Sequence, residues 1–220
     1  MAISKPAPRS LIETAPLAEP LRALAREGEV RRYAKHTLLI QEGDHGDTLY
    51  LILAGRMRAF SSNENNEREI TYGVYGPGEY LGEMSLDGGP RSASVIALEA
   101  SICARIERPT LVAYIAAHPE FAFELLAKVI RRARAATLGL KQVALNDVYG
   151  RLKLLLESLA VLQADGSRVV AEALTHREMA QRLACGREMV SRVMKELERG
   201  GYVGARGGRI CLLLSLPPRW

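Results

Sequence analysis

Residues 175–201 read THREMAQRLACGREMVSRVMKELERGG. Thr175-His176-Arg177-Glu178 has the spacing of a capping box, in which the Thr hydroxyl accepts from the Glu178 backbone and the Glu178 carboxylate reaches back. A short helix, REMAQRLA, follows. Ala184-Cys185-Gly186 makes a tight turn. A second helix then runs from Arg187 to about Arg199, with Val190, Val193, Met194 and Leu197 on its inner face and Gly200-Gly201 ending it. Two short helices joined by such a turn are a helix-turn-helix. The tail YVGARGGRICLLL reads as a two-stranded wing turning at Gly207-Gly208.

On the outer side of the second helix lie Arg187, Glu188, Ser191 and Arg192, near the end that meets base edges in such motifs. Arginine can hold guanine O6 and N7 together, and glutamate can accept from the cytosine amino group. Thr175 and Lys195 complete the expected set of DNA contacts. The charge distribution agrees. Residues 148–220 contain 12 Lys and Arg against 7 Asp and Glu, whereas residues 1–147 hold 18 of each. After Glu198 there is no acidic residue, but four arginines. A basic segment beside a neutral one predicts a polyanionic partner, double-stranded DNA. A solvated amphipathic hairpin is the plainer alternative; the capping box, turn, basic face and wing together weigh against it.

Upstream, the texture divides the chain. Residues 1–16 are rich in proline and small residues and are expected to form a poorly ordered leader. PLAEPLRALAREGEV predicts a short helix. From Val30 to about Arg105, apolar segments such as TLYLILA, EITYGVY and ICARI alternate with glycine or polar turns, the pattern of an all-β sandwich or barrel. From Pro109 the pattern becomes helical. In FAFELLAKVIRRARAATLGLKQVALNDV, Leu126, Val129, Ala133, Ala136, Leu140 and Val143 follow a 3-4 spacing. That is a coiled-coil seam, which predicts a helix paired between two chains. The resulting division is 1–16 leader, 17–119 β domain, 120–147 dimerisation helix and 148–220 DNA-binding domain, an α+β fold.

The loop GEYLGEMSLDGGPRSAS, residues 78–94, is broken by glycines and a proline. It carries Glu83 and the pair Arg91-Ser92. Arginine grips anions in a planar fork, so the loop is either a phosphate pocket or a polar turn with an internal salt bridge. The apolar runs fall short of a membrane span, and MAISKPAPRS lacks the apolar core of a signal peptide. Three scattered cysteines and four scattered histidines give neither a disulfide framework nor a metal-ligand spacing, and fit a reducing cytoplasm. No nucleophile–base grouping or Walker-type loop appears, so an enzyme is not expected.

GEYLGEM…GGPRSAS, the long helix ending NDVYGRL, and CGREMVSRVMKEL together resemble the cyclic-AMP receptor protein (catabolite activator) family of bacterial transcription regulators. The resemblance runs from about residue 21 to 215. It implies an N-terminal cyclic-nucleotide-binding β-roll of jelly-roll type, a long dimerisation helix and a C-terminal winged helix-turn-helix. By matching, Arg91 and Ser92 hold the cyclic phosphate, Glu83 accepts from the ribose 2′-hydroxyl, the Gly82 backbone allows close approach, and Met84 and Ala93 complete the pocket. The family's two base-contacting hydroxyl positions fall here on Ala136 and Thr137, so one hydroxyl is missing. The implied effector is cyclic AMP, with cyclic GMP the alternative. Arg187, Glu188 and Arg192 match the base readers of a TGTGA-like palindrome. Gly186 replaces a hydroxyl residue at the helix cap. The loop QADGSRV occupies the place where the family meets RNA polymerase. Two rival readings remain: a nucleotide-independent or differently liganded regulator of the same family, and a cyclic-nucleotide module governing a protein partner, against which the basic C-terminal segment counts.

Overall fold

The computed structural model describes residues 10–63, 69–164 and 166–218, apart from the side chains of 142–145. Contacts divide the chain into two compact units. One comprises residues 1–61 and 71–134, the other 62–70 and 135–220. The division falls inside the long helix rather than at either end of it.

The first unit opens with α1 (Ser10–Thr14) and α2 (Glu19–Arg26). Residues 10–16 are therefore not a loose leader, contrary to expectation. Ile12, Ala15 and Leu17 are buried with Leu21 and Leu24 of α2 in one apolar cluster. The Arg22 guanidinium fastens the segment by donating to the carbonyls of Ile12, Glu13, Ala15 and Leu17. Proline density concealed this, because the apolar residues Ile12 and Leu17 are few and separated. Residues 1–9 lie outside the described residues.

Eight strands follow: β1 (Glu29–Tyr33), β2 (Leu38–Ile40), β3 (Leu49–Ala54), β4 (Met57–Ser62), β5 (Glu69–Tyr75), β6 (Tyr80–Leu81), β7 (Ser94–Ala97) and β8 (Ser101–Ile106). They form two antiparallel sheets in the orders β1-β8-β3-β6 and β2-β7-β4-β5. Leu49, Leu51 and Leu53 of β3 alternate toward one core with Ala104 and Ile106 of β8, while Ile52 turns the other way to join Met57, Val95 and Cys103. The period of two thus gives one strand a share in both cores. The strand texture predicts a sandwich or barrel, and these two sheets form the β-roll that the family resemblance implies. Between β6 and β7, residues 82–93 contain a single 3₁₀ turn, Glu83–Ser85. Then come α3 (Arg108–Ala117) and α4 (Glu120–Leu145), a helix of 26 residues. Phe121 and Leu125 of α4 pack on the core of this unit.

The second unit contains α5 (Val148–Leu159), begun by the Asp147 side chain accepting from the Gly150 amide. The segment YGRLKLLLESLAVLQ, residues 149–163, has a helical pattern throughout, yet Ala160–Leu162 forms β9, paired with β10 (Arg168–Val170). The β-branched Val161 sits opposite Val169, and cross-strand pairing outweighs one more helical turn. Helices α6 (His176–Leu183) and α7 (Arg187–Arg199) form the helix-turn-helix, and β11 (Val203–Arg206) and β12 (Arg209–Leu212) form the wing. The wing turns at Gly207 and Gly208 with φ of 57° and 74°, the positive angles that a two-residue hairpin turn demands. Leu152 and Leu156 of α5, Met179 of α6, and Val190 and Leu197 of α7 build the core against this sheet.

Candidate ligand pocket and nucleic-acid interface

The segment after β6 cannot continue as a strand, because Gly82 adopts φ 97°. A side chain there would strike the Thr48 carbonyl and the Arg91 guanidinium, so glycine is required by both backbone angle and space. The tight turn lets Arg91 fold under the loop. Arg91 Nη1 donates to Gly82 O at 2.9 Å and to Ser85 Oγ at 2.8 Å, and Nη2 donates to Thr48 O at 3.0 Å. The backbone of Arg91 is tied to the β2–β3 connection: its amide donates to Asp44 O at 2.8 Å, and its carbonyl accepts from Gly43 N at 2.9 Å. Arginine 91 is thus buried and immobilised. Burial lowers its pKa, opposed by Tyr50, Asp47 and Glu83.

Gly82, Met84, Arg91, Ser92 and Ala93 line one cavity, with Ile40, Leu81 and Val95 among its apolar walls. Its free volume is about 40 Å³. Five of the residues expected from the sequence therefore meet at one place. Ser92 is exposed, so its hydroxyl is available at the rim. Glu83 is buried beside them, and its carboxylate is engaged by a residue that sequence reasoning missed. Arg132 of α4 also lines the cavity, and its Nη1 donates to Glu83 Oε1. Arg132 Nη2 donates to Tyr80 O at 2.9 Å, and the guanidinium lies 4.9 Å from the Tyr75 ring centroid. One turn earlier, Lys128 Nζ donates to Glu79 Oε1 at 3.1 Å.

Burial pushes the Glu83 carboxyl up, while Arg132, the Glu83 amide, Lys128 and Arg91 pull it back. Its second oxygen, Oε2, is buried with no hydrogen-bond partner. The site therefore sets a cationic fork suited to an anion beside a buried carboxylate oxygen that lacks a partner and suits a hydroxyl. Ser85, which the sequence reading also missed, braces the fork by accepting from Arg91 while donating to Gly46 O at 2.8 Å.

Thr137 lies five residues beyond Arg132 on α4, hence roughly 140° around the helix, and is exposed. The expected seam residues Leu126, Ala133, Ala136 and Leu140 are exposed, and Val129 is at the edge of exposure. The side chain of Val143 lies outside the described residues. Phe121, Leu125, Lys128 and Arg132 are the residues that turn inward; Phe123 at 76% exposure and Ile130 at 44% are on the other side.

In the second unit the capping box forms as its spacing implies. Glu178 N donates to Thr175 Oγ1 at 3.2 Å and Thr175 N donates to Glu178 Oε2 at 2.7 Å. The turn forms over Ala184-Cys185-Gly186 as expected. Ala184 takes the left-handed conformation, φ 51°, while Gly186 is extended and caps α7 without a side-chain bond. Val190, Met194 and Leu197 are buried, and Val193 is partly buried. Arg187, Glu188, Arg192 and Lys195 are all exposed, and none forms an ion pair among the described residues. Ser191 is half-buried, its Oγ 2.9 Å from His176 Nδ1. Four charged groups of mixed sign, held on one helix and without an ion-pair partner among the described residues, suit base and phosphate recognition. Among the described residues no group of three or more candidate metal ligands occurs, and no helix is long and apolar enough to cross a membrane.

Residues 30–118 match the cyclic nucleotide-binding domain family, and residues 150–215 match the Crp-like helix-turn-helix domain family. The chain is 34% identical over 186 residues to the cyclic AMP receptor protein of Thermus thermophilus, covering 82% of each. It is 28% identical over 194 residues to a CRP-like cAMP-activated global transcriptional regulator of Mycobacterium tuberculosis, covering 86% of each. Among solved structures, the c-di-GMP-responsive regulator CLP of Xanthomonas campestris superposes with a TM-score of 0.78 at 23% identity, over 89% of this chain and 98% of that one. A buried arginine fork beside a carboxylate in a β-roll, followed by a winged helix-turn-helix with an unpaired charged face, thus coincides with two family matches and a relative of the same organisation. The chain belongs to the cyclic-AMP receptor protein family of DNA-binding transcription regulators that carry a cyclic nucleotide-binding domain.

Proposed function

We propose that the protein is a homodimeric regulator whose effector is cyclic AMP. The observation that carries this is Arg91 at the cavity, with Glu83 buried beside the lining and its Oε2 lacking a hydrogen-bond partner. Arg91 and Ser92 hold the cyclic phosphate, and Glu83 accepts from the ribose 2′-hydroxyl. The names of the relatives from T. thermophilus and M. tuberculosis favour cyclic AMP over cyclic GMP. The cavity of about 40 Å³ is near the volume of a single water, far below the ~300 Å³ of a small-ligand pocket. Ligand entry therefore displaces Met84 or Arg132, the movable members of the lining. Moving Arg132 moves a residue of α4, which couples the pocket to the dimer helix.

The dimer forms along the side of α4 opposite Phe121, Leu125, Lys128 and Arg132. Successive residues step about 100° around a helix, which centres that side on Phe123, Leu126, Ile130, Ala133, Thr137 and Leu140. The spacing is again 3-4-3-4-3, shifted from the Val129-Ala136-Val143 register of the sequence. Thr137 then lies at the seam, where it serves the base of a nucleotide held by the partner. Ligand binding sets the two α7 helices about 34 Å apart, one turn of DNA, in successive major grooves of a TGTGA-like palindrome. Arg187, Glu188 and Arg192 read bases there, and Thr175 and Lys195 contact phosphates. The turn after β9 meets RNA polymerase.

The test is calorimetric titration of cyclic AMP and cyclic GMP, repeated with a TGTGA-palindrome duplex present. Cyclic AMP is expected to bind, and to bind more tightly with the duplex, as reciprocal coupling requires. Binding of neither nucleotide would remove the effector assignment.

A further inference from the structure

His176 begins α6 directly after the N-cap Thr175, within the capping box, and Ser191 lies one turn past Arg187 on the reading helix α7. His176 Nδ1 and Ser191 Oγ are 2.9 Å apart, the hydrogen bond that ties the first turn of α6 to the outer side of α7. Both residues are half-buried, and neither has another described partner. The first helix of such a motif crosses the DNA backbone while the second enters the groove, so a pair bridging the two helices lies at the phosphates.

The pair has one donor too few to satisfy both itself and an anion when neutral. If Ser191 donates to Nδ1, only Nε2–H remains to point outward. If Nδ1–H donates to Ser191, only the hydroxyl proton remains. When the imidazole takes up a proton, Nδ1–H donates to Oγ, and both Nε2–H and the hydroxyl proton are free for acceptors. The pair then carries a positive charge as well. A phosphodiester accepts from both and favours the charged state.

We infer that His176 and Ser191 form a DNA-phosphate contact that takes up a proton when it is made. Because proton uptake accompanies the contact, each subunit gains it as pH falls. Other charged groups lie on the helices around the pair. On α6, Arg177 is exposed, and the Glu178 carboxylate is engaged by Thr175. On α7, Arg187, Glu188, Arg192 and Lys195 are exposed. On α5, which also carries Glu157, Arg151 Nη1 donates to Asn146 O and Lys153 is committed to the Leu216 and Pro217 carbonyls. The pair Arg182–Glu172 is closed on itself.

The proposal rests on DNA binding through α6 and α7 and not on the identity of the effector or the operator. Phosphate contacts are independent of sequence, so a duplex of arbitrary sequence at low, fixed ionic strength is the probe. Its affinity for the full-length protein is measured by fluorescence anisotropy from pH 8 to pH 6, for wild type, His176→Gln and His176→Arg. Wild-type affinity is expected to rise with a slope approaching tenfold per pH unit for each engaged subunit. The Gln variant should be flat at the weak, high-pH level, and the Arg variant flat at the tight, low-pH level. A slope in His176→Gln equal to that of wild type, or a wild type without slope, overturns the assignment. Failure of the palindrome in the calorimetric test would not, since that result concerns base readout alone.

Discussion

Replacing Arg132 by Met keeps the aliphatic stem and removes the cation that faces Glu83. The Glu83 side chain is 1% exposed and that of Arg132 18%. Breaking a buried ion pair from one side costs about 3–5 kcal/mol, because the remaining charge has neither water nor partner. Glu83→Gln removes the charge but keeps an acceptor, and the partly exposed Arg132 can hydrate, so a loss of about 1–2 kcal/mol is expected. The double variant leaves no unpaired charge and should recover about 2 kcal/mol of the summed single losses. The pH dependence identifies the group responsible. Burial raises the folded Glu83 pKa above its ordinary 4.5, so between these two values the folded chain holds a proton that the unfolded chain has released. Stability then falls as pH rises through that window, at up to about 1.4 kcal/mol per pH unit. Without Arg132 the window extends further upward, so Arg132→Met should approach wild-type stability toward pH 5 and diverge from it toward pH 8. Urea unfolding of the three variants and wild type, followed by circular dichroism at one protomer concentration, measures both effects. Additive single losses, or the same pH slope in Arg132→Met with and without Glu83→Gln, would refute the pairing.

Arg91→Ala should lower cyclic AMP affinity by about 10- to 100-fold, the worth of a charge-assisted contact, with the dimer retained in analytical ultracentrifugation; unchanged affinity by calorimetry removes Arg91 from the pocket. Ile130→Asp should dissociate the dimer while Ala136→Asp leaves it associated, and the opposite outcome restores the seam through Val129 and Ala136. Arg192→Ala should relax preference at one base pair of the palindrome in competition binding, whereas an equal loss on all sequences makes it a phosphate contact. Ala184→Gly should raise stability by about 1 kcal/mol, because alanine is held at φ 51°; a lower urea midpoint would show that the turn is not strained.

The helix-turn-helix was legible because its signals are local. The Thr175–Glu178 box, the buried Val190-Met194-Leu197 stripe and the Gly207-Gly208 turn each act within a few residues, and each forms as its spacing dictates. The pocket loop was legible as residues but not as a circuit. Gly82 and Arg91 are close in sequence, whereas the Thr48 carbonyl that fixes Arg91 lies 43 residues away, and Arg132 meets Glu83 across 49. Such pairings follow from strand order, which period and composition do not encode. The N-terminal segment failed for a related reason. Ile12 is buried only because α2 and the Arg22 guanidinium supply a surface for it, and a proline-rich composition does not reveal a partner elsewhere in the chain.

The shift proposed for the seam illustrates why one helix can be read two ways. Both 3-4 stripes on α4 are apolar enough to pair, so spacing alone does not choose between them. The choice is made by what the inward side must do. Phe121 and Leu125 anchor α4 to its own core, and Lys128 and Arg132 answer Glu79 and Glu83 on the same side. That commitment places Val129 and Ala136 at the flank and leaves Phe123 and Ile130 opposite. On the proposed reading, the same commitment supplies the coupling. A ligand shifts an equilibrium only by its differential affinity for two states. The closed state satisfies Glu83 with Arg132, whereas the occupied state satisfies it with a sugar hydroxyl and frees Arg132 to turn toward the ligand. The difference between those two partners of one carboxylate is the free energy available to reset α4 and, through it, the spacing of the reading helices.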